Sequence, residues 1–320
     1  MSDVKAVVVD NGSGSCKAGV AEHKDPSIVF PSCVGKRGDR EYVGSDAQKR
    51  RGILALQYPI QRGHPVLMTD VALNPKANRE KMAEIMFETF NIPALYVAIQ
   101  GALALYSYGR LTGLALDCGD GLSQAVPVID GYHVWDAVQR LEVGGRDLTD
   151  YLVRILTERG HYFNTQSERD VVREAKERLC YVELDYDRAM ANPTPALDRD
   201  YELPDRQVFT VGADQRFRCP EVLFQPSLMG LASGARRGLL ANVLSGGNTL
   251  YRGFARRLRR ELMGLVGDAS VGRMVRRPER QYSVWFDGSI VASQPEFLRN
   301  YISREQYAEF GPSAVHRTDH

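Results

Sequence analysis

The 320-residue sequence has no run of 18 apolar residues, so no membrane-spanning helix is expected. It has no CxxC pair, and its five cysteines (Cys16, Cys33, Cys118, Cys180 and Cys219) are odd in number and scattered. Neither a disulfide framework nor a cysteine-held metal is supported, and a reduced compartment fits. Charge of one sign is missing too: 41 basic residues face 40 acidic ones, a net charge of +1. The chain as a whole offers no field for nucleic acid or a membrane surface. Lysine is scarce, eight against thirty-three arginines, a bias broad enough to reflect a GC-rich genome. No charged leader with an apolar core precedes the first strand-like run, so a cytoplasmic protein is expected. Composition is ordinary globular usage, 43% hydrophobic and 25% charged, which excludes a disordered or fibrous chain. The length suits about two domains.

What is present begins with a repeat. Ala6-Val7-Val8-Val9 ends in Asp10-Asn11-Gly12-Ser13-Gly14, and a second strand-like run follows through Cys16, Ala18 and Val20. Two apolar strands around a glycine turn read as a β-hairpin. The same grammar returns further along the chain, where Leu114-Ala115-Leu116 leads into Asp117-Cys118-Gly119-Asp120-Gly121 and then Leu122 to Val128. Two Asp-x-Gly-x-Gly turns, each between strands, imply a duplicated unit. The small residues let backbone N–H groups approach an anion, and consecutive turn amides make an anion-binding concavity. An aspartate at each strand end supplies a carboxylate for a hard cation such as Mg²⁺, usually through water. Two such hairpins facing each other would clamp a polyphosphate; the alternative is a pair of ordinary glycine hairpins.

Strands and helices alternate in the rest of the chain. Asn74-Pro75 opens a helix with Met82, Ile85, Met86 and Phe90 as its apolar stripe. Leu95 to Ile99 reads as a strand and Gln100 to Tyr108 as a helix. Leu148, Tyr151, Leu152, Ile155 and Leu156 lie at helical spacing up to Gly160, and Ser167-Glu168-Arg169-Asp170 resembles a capping box before Val171 to Cys180. Val243-Leu244-Ser245 is a strand ending in Gly246-Gly247, followed by a helix with Phe254, Leu258 and Leu262 on one face. The class is α/β.

With these elements placed, the sequence resembles the actin family over essentially its whole length. The resemblance rests on the first hairpin, Asp10 to Gly19, and on the runs Leu73 to Met82, Gly145 to Leu152 and Phe217 to Glu221. Leu244 to Gly247, Tyr282 to Trp285 and Gly311 to Ser313 extend it. It implies an actin-like ATPase fold, two RNase H-like domains around a nucleotide cleft. The outer domain would hold residues 1–107 and 283–320 and the inner one 108–282, with subdomain 2 near 32–58 and subdomain 4 near 144–234. It also implies ATP or ADP with Mg²⁺ as ligands. Asp10 and Asp117, with Gln100 beside them, would orient the hydrated metal. Gly12, Ser13, Gly14, Lys17, Gly119, Asp120 and Gly121 would hold the phosphates, and Gly145 and Asp147 follow the second hairpin. Arg173, Lys176 and Glu177 would face the ribose and base, and Gly246, Gly247, Asn248, Leu250 and Tyr251 the adenine side. Gln100, Asp117 and Gln124 form the implied catalytic set, with Gln124 standing where the family has a histidine.

Other departures from the family pattern concern assembly. Gly35 to Gly44 is too short for the loop that bridges subunits along an actin filament, and Tyr58 to Gly63 runs straight into His64. Leu228 to Ala235 keeps part of an inter-strand plug, and Gln294-Pro295-Glu296 alters the cleft that binds partners. The implied function is an ATP-hydrolysing cytoskeletal protein that forms filaments of itself through an altered interface. Conventional actin-binding proteins, membranes and nucleic acid are not expected partners. A non-polymerising nucleotide-binding adaptor and a sugar kinase or chaperone ATPase of the same superfamily are the alternatives. Between Arg236 and Arg280, eleven arginines face three acidic residues. That run reads either as a solvated face or as a basic surface for an acidic patch on the next subunit.

Overall fold

The computed structural model describes residues 4–32, 34–37, 40–43, 63–106, 108–192, 194–203, 206–231, 243–266 and 274–318. β1 (Val7–Asn11) and β2 (Ser15–Val20) form the first glycine hairpin, with β3 (Ile28–Pro31) paired antiparallel to β2. β4 (Val34–Arg37) and β5 (Arg40–Val43) make a separate ribbon in which Arg37 is opposite Arg40, so two residues connect them. β6 (Val66–Asp70) pairs parallel to β1 on its other side, and β7 (Ala94–Ile99) parallel to β6. The run Val7-Val8-Val9 is buried throughout, as expected of a central strand with a parallel neighbour.

The second half repeats the plan. β8 (Gly113–Cys118) and β9 (Ser123–Ile129) form the second glycine hairpin, and β10 (Tyr132–His133) and β11 (Gln139–Leu141) pair antiparallel to β9. β12 (Arg199–Glu202) and β13 (Val208–Val211) form their own ribbon. β14 (Val243–Ser245) then joins β8 in parallel, as β6 joins β1. A single parallel bridge from Val243 to Val275 occupies the place that β7 fills in the first sheet. β15 (Ile302–Ser303) returns to β7, giving the first sheet the order β15-β7-β6-β1-β2-β3. Five residues of the helix Gln100–Tyr106, Gly101-Ala102-Leu103-Ala104-Leu105, are apolar on every face because the helix lies between the two sheets. A Cβ on Gly101 would stand 2.7 Å from that of Val126, so only glycine lets helix and β9 approach this closely.

Three local expectations are corrected. The helix Lys76–Glu84 has Pro75 at its N-cap rather than inside its first turn, and Asn74 donates its amide to Asp70 Oδ1 at 2.7 Å instead of capping. That helix passes into a π-helical turn, Ile85–Thr89, whose extra residue per turn rotates the apolar stripe. Phe87 is consequently buried and Ile85 exposed. The capping box of the helix Gln166–Leu179 is Thr165 with Glu168, two residues before the expected start: Glu168 N–H donates to Thr165 Oγ1, and Glu168 Oε2 accepts from Thr165 N–H at 2.7 Å.

The arginine-rich run divides. Arg252, Arg256, Arg259, Arg260 and Arg276 are exposed, but Arg257 and Arg280 are buried. Arg236, Arg237 and Arg273 lie outside the described residues, as do most of Gly44 to Gly63 and Ala232 to Ala235. Among the described residues, no helix is long and apolar enough to cross a membrane.

Candidate nucleotide and metal site

The duplicated hairpins place their functional residues by register. Asp10 is directly opposite Lys17 across the first hairpin, and Asp117 directly opposite Gln124 across the second. Directly opposed residues share one face of the ladder, so each aspartate meets its partner's side chain or environment. In the first hairpin Lys17 Nζ lies 2.8 Å from Asp10 Oδ2, and Thr69 Oγ1 donates to Asp10 Oδ1 at 2.8 Å. Gln100 Nε2 donates to the same oxygen at 3.4 Å. Burial works against the Lys17 ammonium, but the charge and hydrogen bond of Asp10 outweigh it and raise its pKa.

The second hairpin has no cation across its ladder. Asp117 is buried opposite a neutral amide, and its carboxyl is pushed up from 3.8 to about 6. Burial is the main cause; a hydrogen bond from Ser245 opposes it, the Asp10 charge adds to it, and Lys17 pulls the other way. An under-compensated carboxylate beside a compensated one is a place for an added cation.

The hairpins also meet each other. A Cβ on Gly14 would stand 2.6 Å from Asp120 Cβ, and one on Gly121 would stand 2.7 Å from Ser13 Oγ. Ser13 and Asp120 hold the same place in their motifs, as do Gly14 and Gly121, so the contact is reciprocal. Gly14→Ala should wedge the two turns apart where they would close on phosphate. We expect ATP affinity to fall by about tenfold or more with the sheets intact, since the strain lies in two half-buried turns beyond the strand ends. Titration calorimetry beside a melting curve checks this.

The hairpins open into a cleft of about 760 Å³. Beyond them, Asn248 Nδ2 donates to Gly119 O at 2.6 Å, and Gly145 N–H donates to the same carbonyl at 3.0 Å. Gly246 has φ +84°, and a Cβ there would lie 2.4 Å from Cys118 O, so this turn needs glycine twice over. Lys176 is buried, with Nζ 2.5 Å from Gly145 O. Arg173, Glu177, Gly247, Leu250 and Tyr251 line the same wall.

Two expected site residues stand elsewhere. Gln124 does not line the cleft. It is buried behind Gln100, where its Oε1 accepts from Ala72 N–H at 3.0 Å and its Nε2 donates to Gln100 Oε1 at 3.3 Å. Asp147 points back to its own helix, Gly145–Thr157, and accepts from Gly144 N–H at 2.8 Å, a structural cap. Thr69, Ser245 and Thr249 are polar neighbours of the candidate site that sequence reasoning missed. Thr69 carried one signal, a hydroxyl between an apolar run and Asp70 at the strand end.

The residues present fit a hydrated divalent cation. No group of three or more His, Cys, Asp or Glu side chains converges among the described residues, so these residues make no direct-ligand cage. Two buried carboxylates lining one cleft suit Mg²⁺, which keeps several waters and takes substrate oxygens.

A duplicated α/β fold with facing glycine hairpins at a central cleft defines a class of two-domain nucleotide-binding, ATPase-fold proteins. A family model described as Actin matches residues 1–64, 62–237 and 231–319. The chain belongs to the actin family.

Proposed function

We propose that this protein binds ATP with Mg²⁺ in the cleft between its hairpins, hydrolyses it, and assembles into filaments as it does so. The observation that supports this best is the asymmetry between the hairpins: Asp10 is neutralised by Lys17, whereas Asp117 is buried without an equivalent partner. Asp10 and Asp117 would hold the hydrated cation, which supplies charge neutralisation of the phosphates. Lys17 offers a compact ammonium to the phosphate chain, and the turn amides around Gly12, Gly14, Gly119 and Gly121 offer neutral donors. Gln100 presents its amide beside Asp10, the place from which a water could be oriented toward the terminal phosphate. Gln124 acts one step back. By donating to Gln100 Oε1 it fixes which end of the Gln100 amide faces Asp10 and Thr69.

Gln124→Met should therefore lower the single-turnover rate of phosphate release by about tenfold to a hundredfold, the range for a misplaced reacting group. The ATP dissociation constant should stay unchanged. A rate equal to that of the unmodified protein would show that the Gln124–Gln100 bond does not organise the reaction.

Titration calorimetry with ATP and Mg²⁺ tests the binding itself, and absence of heat would overturn it. Sedimentation and electron microscopy with ATP, ADP and no nucleotide test assembly. The two-residue connection between Arg37 and Arg40 leaves β4–β5 without a bridging loop, which favours a second reading, a nucleotide-binding subunit that does not polymerise. Pelleting with ATP distinguishes the two.

A further inference from the structure

The chain passes between the two sheets twice, outward after the helix Gln100–Tyr106 and back before the helix Ser283–Ala292. The return segment carries two arginines that face different ways. The Arg277 guanidinium carbon lies 4.9 Å from the ring centre of Tyr108, on the outward crossing, and 4.3 Å from that of Phe286, on the return helix. Its Nη1 donates to Asp287 Oδ1 at 3.1 Å, and Asp287 is 0% exposed. One cation therefore clasps both crossings, held by two aromatic faces and a buried carboxylate.

Arg280, three residues further on, is buried and turns to the loop after β14. Its Nε donates to Thr249 Oγ1 at 2.7 Å and its Nη2 to Thr249 O at 2.6 Å. Thr249 belongs to the loop that follows β14 and lines the nucleoside end of the cleft through its neighbours Asn248 and Leu250. The Arg280 carbonyl accepts from Gly246 N–H at 3.2 Å and from Ser283 Oγ at 3.0 Å, while Arg280 Nη1 donates to Arg277 O at 3.0 Å. Ser283 opens a helix fastened to the first sheet by Trp285 Nε1, which donates to Val8 O at 3.1 Å.

We propose that residues 275–283 form a strap that couples the nucleoside-side loop to the hinge: Arg280 is a positioning residue for loop 246–251, and the Arg277–Asp287 clasp sets how freely the domains move about the two crossings. The proposal rests on the reading that a nucleotide occupies this cleft. A domain rotation that breaks the clasp must pull on the segment holding Thr249, so opening the hinge loosens the grip on the nucleoside, and an ordered nucleoside loop stiffens the hinge in return. Such reciprocity is what linkage requires of two coupled sites.

The experiment measures release of a fluorescent ATP analogue, chased with unlabelled ATP, from the full-length protein and its variants. Arg277→Met alone takes one charge out of a buried ion pair and can unfold the chain, so the informative variant is Arg277→Met/Asp287→Asn, which removes both charges and keeps an apolar stem between Tyr108 and Phe286. Arg280→Lys keeps a charge but cannot span Thr249 Oγ1 and O with one planar fork. Release should be on the order of tenfold faster in each, within the usual range for coupled sites. Combining them should add little, because both act through one strap. Hydrogen exchange of amides 246–251 in nucleotide-free protein should rise in the clasp variant, although none of its substitutions touches that loop. Unchanged release and unchanged exchange, in a protein whose unmodified form binds ATP, would overturn the strap. If the unmodified protein binds no ATP, the nucleotide reading fails on its own, and exchange at 246–251 alone decides whether clasp and loop are coupled: a rise supports the strap, none overturns it.

Discussion

Nucleotide-free protein carrying Asp117→Asn is expected to melt several degrees above the unmodified protein, while losing Mg²⁺-dependent ATP binding and hydrolysis. Asp117 is buried, and its carboxyl sits at about 6 rather than its ordinary 3.8. The sign follows from which state holds the proton. Between those values the unfolded chain has released it and the folded chain has not, so stability falls as pH rises from about 4 to about 6 and stays lowered above that. The gap corresponds to about 3 kcal/mol at about 1.4 kcal/mol per pKa unit. Asparagine keeps the shape and can accept from Ser245, but it never carries the charge. The gain should therefore appear at pH 7 and vanish near pH 4. A carboxylate that costs the empty fold this much is the kind of group that a bound cation turns to advantage, and function is expected to suffer where stability improves. Melting curves at the two pH values, with calorimetry on the same samples, check both halves. An unchanged melting temperature at pH 7 would mean that Asp117 is already neutralised in the empty cleft.

Arg257→Met should be among the most damaging single changes in the chain, although the residue stands in a run of arginines that reads as surface. Its guanidinium reaches Glu221 with two hydrogen bonds, of 2.9 and 2.8 Å, and Glu221 is 0% exposed. Nη1 also donates to Glu183 O at 2.9 Å, and the guanidinium carbon lies 5.0 Å from the centre of the Phe224 ring. Burial pushes the Glu221 carboxyl up from its ordinary value against the pull of Arg257. Removing the arginine alone leaves a carboxylate with no counter-charge in the core, at a cost of about 3–5 kcal/mol. Removing both charges, as Arg257→Met with Glu221→Leu, should recover most of that loss, since a buried pair rarely outweighs its own desolvation. Denaturant titration of the three variants measures the difference; equal losses in the single and double variants would show that packing, not charge, sets the cost. Any test of the basic face must leave Arg257 intact. Arg256 and Arg259 to glutamate, with Arg260 beside Asp185, address the exposed part alone.

The repeat was legible because it is local. Each Asp-x-Gly-x-Gly lies within one hairpin, and hairpin register follows from turn length, so Asp10 opposite Lys17 and Asp117 opposite Gln124 can be counted along the chain. The apolar faces of the helices Gly145–Thr157 and Phe254–Val266 were legible for the same reason, since a period of 3.6 needs no distant information. Where a cap or a π-helical turn shifted the frame by one or two residues, at Thr165 and at Ile85–Thr89, the error stayed local too.

The sequence by itself thus determined the class, the duplication, the two glycine turns and most of the cleft's lining. The tertiary structure decided what each polar group faces. Gln124 was expected at the attacking water and is instead turned toward Gln100 and Ala72; Asp147 was expected at the nucleotide and caps a helix. Arg257, Arg277 and Arg280 are identical letters in one basic run, yet one is locked in a core, one clasps two crossings and one holds a loop. The physical reason is that burial and pairing are properties of distance in space. Glu221 lies 36 residues from Arg257, and Thr249 lies 31 residues from Arg280. A charge's worth depends on the dielectric and the partners that only the folded chain brings to it.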